Sequence, residues 1–488
     1  MGQELLEKSA FELADLIRSK KVTPFEVVQT HVQKARIENP DLNAIVEDRY
    51  DLALDEAKAK TEQLTKLAES EIPCLFGVPF TIKEMIALEG FKRTAGNIHR
   101  RNQRSSFNAT VVQRIRNAGA IPLGTTNVPE LGFWFESDNP VYGRTKNPFD
   151  LKRTAGGSSG GEGSIVGSGA SPFGLGSDIG GSIRMPAFFC GVAGHKPSNR
   201  IVPNTGHFPY EEKSFLEIDP QFYPYTTIGI LSRRAKDLHP LMNLIIGADS
   251  LDPFVKKDFH LLPETSKFHG KKVFILPEPR IHLSNAASSE LSDCVVKAAQ
   301  TFEAAGAIVQ EFPADFFNDG VNLWAAALKK SKNSSFSANL SPEKKLNLPK
   351  ELFKLSIGQA DYSLPALITV LLEKSLADEH KLNQAIQDLE ILKQKFSEIL
   401  GEDGILILPP HPRVAPKHRA PLFSPFDYIY AGIFNVMGVP ATCVSMGLNA
   451  QHIPLGVQIV SGLYKDHMTL SAASFLEEKF GGWSLPSR

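Results

Sequence analysis

Along the first fifty residues the apolar positions recur at helical spacing. Phe11, Leu13, Leu16 and Ile17 follow Ser9, and Ser9 with Glu12 makes a capping box. Thr23-Pro24-Phe25-Glu26 opens a second helix with proline at its first position, where a missing N–H costs nothing. A third helix is predicted from about Asp51 to Ala68, so three helices should precede any strand.

From Phe76 onward, short apolar runs alternate with helical periods. Gly77 to Ile82 reads as a strand, Thr110 to Ala118 as a helix and Ala120 to Gly124 as a strand. The strand pattern returns at Lys272 to Leu276, Ala307 to Glu311, Gly404 to Leu408 and Pro454 to Val460. Such alternation predicts an α/β fold. The stretch from about Phe312 to Leu400 reads as mostly helical, with Leu, Phe and Ile residues gathered around Leu352 to Leu372. The length of 488 residues would suggest about three domains. No Pro/Ser-rich or charged linker and no fixed-period repeat divides the chain, so one large domain with a helical insertion is expected.

Composition narrows the function classes. Hydrophobic residues make up 42% and charged residues 22%, enough to bury a large core and incompatible with a disordered or collagen-like chain. With 53 basic against 54 acidic residues there is no long-range field to draw in nucleic acid, and no such partner is expected. The cluster Arg93, His99, Arg100, Arg101 and Arg104 reads as a solvated loop, because no nucleic-acid motif accompanies it. Cys74, Cys190, Cys294 and Cys443 lie far apart with no CxxC pair, which suits a reducing cytoplasm and offers no zinc framework. Cys190, beside Phe188 and Phe189, is expected to be a small buried hydrophobe. The N-terminus lacks the apolar core of a signal peptide, and Leu6 stands where a myristoylation signal needs Ser or Thr. The longest apolar stretch, near Leu364 to Leu372, is interrupted by Pro365 and Thr369 and is too short to span a bilayer. A soluble cytoplasmic protein is expected, with peripheral membrane contact left open.

Glycine changes the picture. Of 37 glycines, 13 fall between Gly156 and Gly194, in a window whose only charges are Glu162, Asp178 and Arg184. A flexible linker would not contain Ile165-Val166, Phe173-Gly174-Leu175 or Phe188-Phe189, so the window reads as buried backbone held close to a ligand. Three chemistries compete for it. A nucleotide cradle fits poorly, since Gly174-x-Gly176 has Ile179 where the third glycine belongs. An α/β-hydrolase elbow is matched twice, around Ser158 and around Ser159, with His195, His207 and His411 downstream in no distinguishing context.

In the third, Ser182 follows two glycines whose N–H groups no side chain obstructs. Nucleophile and oxyanion donors would then come from one loop. Its base would be Lys83, after the strand predicted in Gly77-Val78-Pro79-Phe80-Thr81-Ile82, at the C-terminal sheet edge where open α/β folds place their sites.

The strings GVPFTIKE, GGSSGGEG and GSDIGGSIRMPAFFCGVAGHKPS resemble the amidase signature family, enzymes that hydrolyse C–N bonds with a Ser-Ser-Lys triad. The similarity runs from LADLIRSKKVTPFEVV near the start to GVPATCVSMGLNAQHIPLGVQIV and FGGW near the end. GGSSGGEG, DIGGSIRMPAFF, GHKPS and PPHPRVAPKHRAPL look most like the fatty-acid amide hydrolases, the second vertebrate type in particular. The resemblance implies one large α/β domain over residues 1–488, with a central twisted mixed sheet flanked by helices on both faces. A helical region would occupy about 1–70, the catalytic core about 71–210 and the helical insertion about 312–400.

It further implies Ser182 as the acylated nucleophile, Ser158 as the bridging serine and Lys83 as the base. The backbone N–H groups of Ile179, Gly180, Gly181 and Ser182 would form the oxyanion hole. Ser159, Asp178 and Arg184 would hold the loop, and a cis peptide would precede Ser158. Ser182, Ser158 and Lys83 are 24 and 75 residues apart, so only folding can bring them together. A buried lysine with its pKa lowered to about 7–8 would be a competent base.

Many family members carry Asp after the lysine, where this chain has Glu84, and the vertebrate enzymes carry an N-terminal membrane segment that is not expected here. The expected substrates are small-molecule amides, fatty-acid amides or N-acyl amines, with esters as a side activity. A channel for a long chain would draw on Phe133, Trp134, Phe135, Phe188 and Phe189, and on the Leu352 to Leu372 region. No metal or cofactor is called for, and a homodimer is left open. The alternatives are an amidase of short or aryl amides, a glutamyl-tRNA amidotransferase-like subunit, and a non-catalytic binding protein on the same fold.

Overall fold

The computed structural model describes residues 2–210, 225–265, 267–331, 336–342, 346–375 and 378–487. Both capping boxes form. The Ser9 hydroxyl accepts from the Glu12 N–H and the Glu12 carboxylate accepts from the Ser9 N–H at the head of Ala10–Arg18. Thr23 and Glu26 do the same for Pro24–Leu42. Three helices do precede the first strand, Ile45–Asp48, but one of them is Gly2–Glu7, and the helix expected from about Asp51 follows the strand as Tyr50–Leu64. Four residues are too few to show alternation. This strand exists because it pairs onto the edge of a sheet assembled from later segments.

That sheet is built from β1 (Ile45–Asp48), β2 (Pro79–Lys83), β3 (Ile121–Thr126), and, past a small hairpin of β4 (Asp138–Asn139) and β5 (Gly143–Arg144), from β6 (Phe173–Asp178), β7 (Ala193–Lys196) and β8 (Thr227–Ser232). It continues through β9 (Lys272–Ile275), β10 (Ile308–Glu311), β11 (Ile405–Leu408), β12 (Ala441–Leu448) and β13 (Pro454–Ser461). Among the described residues the order is β1-β3-β2-β6-β8-β7-β12-β13-β11-β9-β10. β3, β2 and β6 run parallel, as do β11, β9 and β10, while the strands between pair antiparallel. This is a single-domain α/β fold on a mixed sheet flanked by helices.

Side-chain alternation decides what each face carries. Phe80 and Ile82 of β2 and Phe173 and Leu175 of β6 share one core with the helices Ala10–Arg18, Thr110–Asn117 and Leu238–Ile245, and Phe80 stacks on Phe173 at 5.5 Å. Thr81, Lys83 and Gly174 take the opposite face, against the helix Gly160–Gly167. There a second core joins Ile165 and Val166 to Ala187, Phe188 and Phe189. Strands buried on both faces read as near-continuous apolar runs, so a lysine at the end of one stands out.

Between β10 and β11 the described residues form the helices Gly320–Lys330, Phe336–Leu340, Leu348–Ser356, Leu364–Ser375 and Glu379–Leu400. Residues 332–335, 343–345 and 376–377 of the stretch read as helical lie outside the described residues. No helix among the described residues is long and apolar enough to cross a membrane.

Thr23→Ala removes the acceptor of the second capping box. It is expected to cost about 1 kcal/mol in chemical denaturation, with Thr23→Ser retaining most of the stability.

Candidate active site

Lys83 ends β2 between two parallel neighbours, and its side chain is fully buried. Its Nζ lies 2.7 Å from Ser158 Oγ, 2.9 Å from Ser177 Oγ and 3.3 Å from the Ser177 carbonyl. Burial pushes the amine down to about 7, against the opposing pull of Asp178 and Glu162. Glu162, on the helix over β2, is itself pushed up to about 8 by burial, with hydrogen bonds from Thr81 and Thr126 working the other way. Near neutral pH it therefore supplies little counter-charge. β6 makes room for this carboxyl, since a Cβ at Gly174 would collide with Glu162 Oε2.

The two serine loops are tied together behind the lysine. The Gly157–Ser158 peptide is cis. The Ser159 N–H donates to the Ser182 carbonyl at 3.1 Å, and Ser159 Oγ donates to the Ser177 carbonyl at 3.2 Å and accepts from its N–H at 3.3 Å. Asp178, the last residue of β6, organises the turn that follows. Its carboxylate accepts from the N–H of Gly181 at 2.7 Å, the N–H of Ile183 at 3.0 Å, Arg184 Nε and Nη2 at 3.1 and 3.0 Å, and Asn435 Nδ2 at 2.9 Å. Burial alone would raise its pKa, yet the Arg184 guanidinium holds the carboxyl well below the ordinary range. Arg184 spends its other donors on the Ala431 carbonyl, Gln458 and Asn435.

This network corrects one expectation. The Gly181 N–H is held by Asp178 and is not a free oxyanion donor, and with φ of +100° and Ala431 against it the glycine serves the turn. The N–H groups of Ile179, Gly180 and Ser182 make no hydrogen bond among the described residues. Trp324 Nε1 donates to the Ile179 carbonyl at 2.9 Å, fastening the loop from the helical stretch.

Two cavities meet at the serines. One, of about 320 Å³, is lined by Ser182, Gly180, Phe133, Trp134, Phe135, Met185, Trp324, Ile368 and Phe426. The other, of about 130 Å³, is lined by Ser158, Ser177, His207, Met85, Tyr210 and Phe336. Gly132, Phe133, Ile179 and Leu328 border both.

Phe188 and Phe189, expected in the channel, belong instead to the core beneath it, at 1% and 0% exposure, where Phe189 packs edge-on against His411. Adjacent aromatics in a short helix cannot be assigned to core or cavity without knowing what faces them. Ile368 and Thr369 line the large cavity from within the Leu352 to Leu372 region. Arg93, expected to be solvated, is buried and donates to the Gly206 carbonyl at 3.0 Å.

Of the three histidines weighed at first, His195 is bonded to Thr442 and Asp466, and His411 to the Arg413 backbone. His207 differs. Its Nε2 lies 2.7 Å from Ser177 Oγ, one hydrogen bond from Lys83. Neither Ser177 nor His207 carried a local signal that could have marked it.

A sequence model of the Amidase family matches residues 26–470. Fatty-acid amide hydrolase 2-A of Danio rerio is 39% identical over 500 residues, spanning 99% of this chain and 91% of its own. Fatty-acid amide hydrolase 2 of Homo sapiens is 37% identical over 502 residues, spanning 100% and 91%. The solved structure of 6-aminohexanoate cyclic dimer hydrolase with its substrate superposes with a TM-score of 0.80 at 22% identity, over 97% of both chains.

Arg184→Met strands the Asp178 carboxylate in the interior and is expected to cost about 3–5 kcal/mol in chemical denaturation. Asp178→Asn in the same chain removes the stranded charge and should recover part of that loss.

Proposed function

The chain belongs to the amidase family, and from that premise we propose that it hydrolyses fatty-acid amides through Lys83, Ser158 and Ser182. That it is an amide-hydrolysing enzyme follows from the family and its relatives. The reading of the triad rests on one observation above all, the fully buried Lys83 amine at 2.7 Å from Ser158 Oγ. A neutral amine there accepts the Ser158 proton while Ser158 accepts that of Ser182, and Ser182 Oγ attacks the amide carbonyl.

The tetrahedral oxyanion then forms where the N–H groups of Ile179, Gly180 and Ser182 are free to donate. Collapse needs a proton on the leaving nitrogen, and the ammonium of Lys83 returns it through Ser158. The C–N bond breaks, the amine departs and Ser182 carries the acyl group. Water then gives its proton through Ser158 to the neutral Lys83 and attacks the ester, and that proton returns to Ser182 Oγ as the acid leaves.

The larger of the two cavities at the serines supports the substrate class. Its walls are aromatic and aliphatic and reach Ser182, which suits an acyl chain, since each buried methylene contributes about 0.8 kcal/mol. The relatives named fatty-acid amide hydrolase 2 support the same reading.

A fluorophosphonate probe should label Ser182 and leave Ser182→Ala unlabelled, and a label on another residue would remove the nucleophile assignment. Lys83→Ala should slow amides at least tenfold more than matched esters, because only the amine leaving group needs the returned proton. Equal losses would contradict the base. Across oleamide, N-acylethanolamines and short-chain amides, kcat/KM should rise with acyl length. A preference for the short amides would overturn the fatty-acyl assignment.

A further inference from the structure

Ser177 Oγ has one hydrogen and, among the described residues, two side-chain hydrogen-bond partners, Lys83 Nζ at 2.9 Å and His207 Nε2 at 2.7 Å. When Lys83 is an ammonium it has no lone pair, so the Ser177 O–H must go to His207. When Lys83 is neutral a choice opens. The same O–H could turn onto the amine's one lone pair, which Ser158 has to reach for the base to work. An imidazole nitrogen that accepts the Ser177 proton removes that competition in both states.

From this geometry we propose that His207 is a positioning residue for the base, acting through Ser177 to reserve the Lys83 lone pair for Ser158. The proposal rests on the triad reading above. His207 is built into place by backbone. It bridges Ile86, and the Phe208 N–H donates to the Met85 carbonyl at 2.8 Å, so the turn that follows Lys83 also carries the histidine. The ring is 3% exposed, and its Nδ1 makes no hydrogen bond among the described residues.

A positioning role requires the ring to stay neutral, because an imidazolium would donate to Ser177 and drive the hydroxyl onto the lysine. Burial first, and then the nearby Lys83, push His207 down to about 3, with the Phe208 backbone opposing and Arg93 adding to the shift. The charged groups acting on Lys83 are Asp178, committed to Arg184, and Glu162.

The test compares four variants with the unmodified enzyme on one amide over a range of pH. His207→Leu should lower kcat at least tenfold with KM within twofold. It should also move the acidic limb of the kcat profile to lower pH, because a hydroxyl donating to the lone pair favours the free amine. His207→Gln, whose amide oxygen can accept the same proton, should regain most of kcat. Ser177→Ala, which has no hydroxyl to misdirect, should be less impaired than His207→Leu, and adding His207→Leu to it should cost nothing more.

Three results overturn the proposal: an unmoved kcat and pH limb in His207→Leu, an equal loss from His207→Leu in the Ser177→Ala background, or a His207→Gln enzyme as poor as His207→Leu. Should His207→Leu not fold, His207→Gln in both backgrounds decides. It should stay near each parent's kcat, and a tenfold loss in either would overturn the proposal. Failure of the triad reading is distinguishable, since it would show as missing fluorophosphonate labelling of Ser182 in the unmodified enzyme.

Discussion

Everything in the site depends on an amine whose charged form burial disfavours. Lys83 is fully enclosed between β3, β6 and the helix Gly160–Gly167, and the carboxylates near it are disposed so as not to rescue the ammonium. Asp178 is committed to Arg184 and to the backbone of its own turn. Glu162 is itself driven toward its neutral form. Two buried acids beside a lysine would ordinarily raise its pKa. Here one is neutralised by a cation and the other by a proton, and desolvation prevails.

The division of labour around Asp178 links stability to chemistry. The ion pair that closes the β6 turn takes up the Gly181 N–H and leaves the N–H groups of Ile179, Gly180 and Ser182 without acceptors among the described residues. The Ser159 contacts with Ser177 and Ser182 then fix one serine loop on the other. Lys83, Ser158 and Ser182 are thus held by backbone and buried polar contacts, with one cavity lined by Ser158 and the other by Ser182. A site made this way is preorganised before substrate arrives, as electrostatic catalysis requires.

Much of this was legible in the chain because it is local. The capping boxes at Ser9 and Thr23 need only three residues each, and both form. The strand ending at Lys83 and the Asp178 to Arg184 turn are likewise contiguous, and the family resemblance pointed to the meeting of Lys83 and Ser158 that spacing cannot supply. What was not legible is what depends on the other side of a contact. β1 forms only because β3 offers an edge. Phe188 and Phe189 turn inward because Ile165 and Val166 cover them, while Phe133 to Phe135, chemically alike, face a cavity. Gly181 lost its expected role because Asp178 reaches it first. His207 lies 30 residues past Ser177 and meets it only across the fold.

Burial leaves a substantial fraction of Lys83 as the free amine near neutral pH. Lysine labelled with ¹³C at Cε and ¹⁵N at Nζ, with Lys83→Met to assign its signal, reports that ionisation directly. The titration midpoint should fall near 7. A midpoint at or above the ordinary lysine value of 10.5 would contradict it.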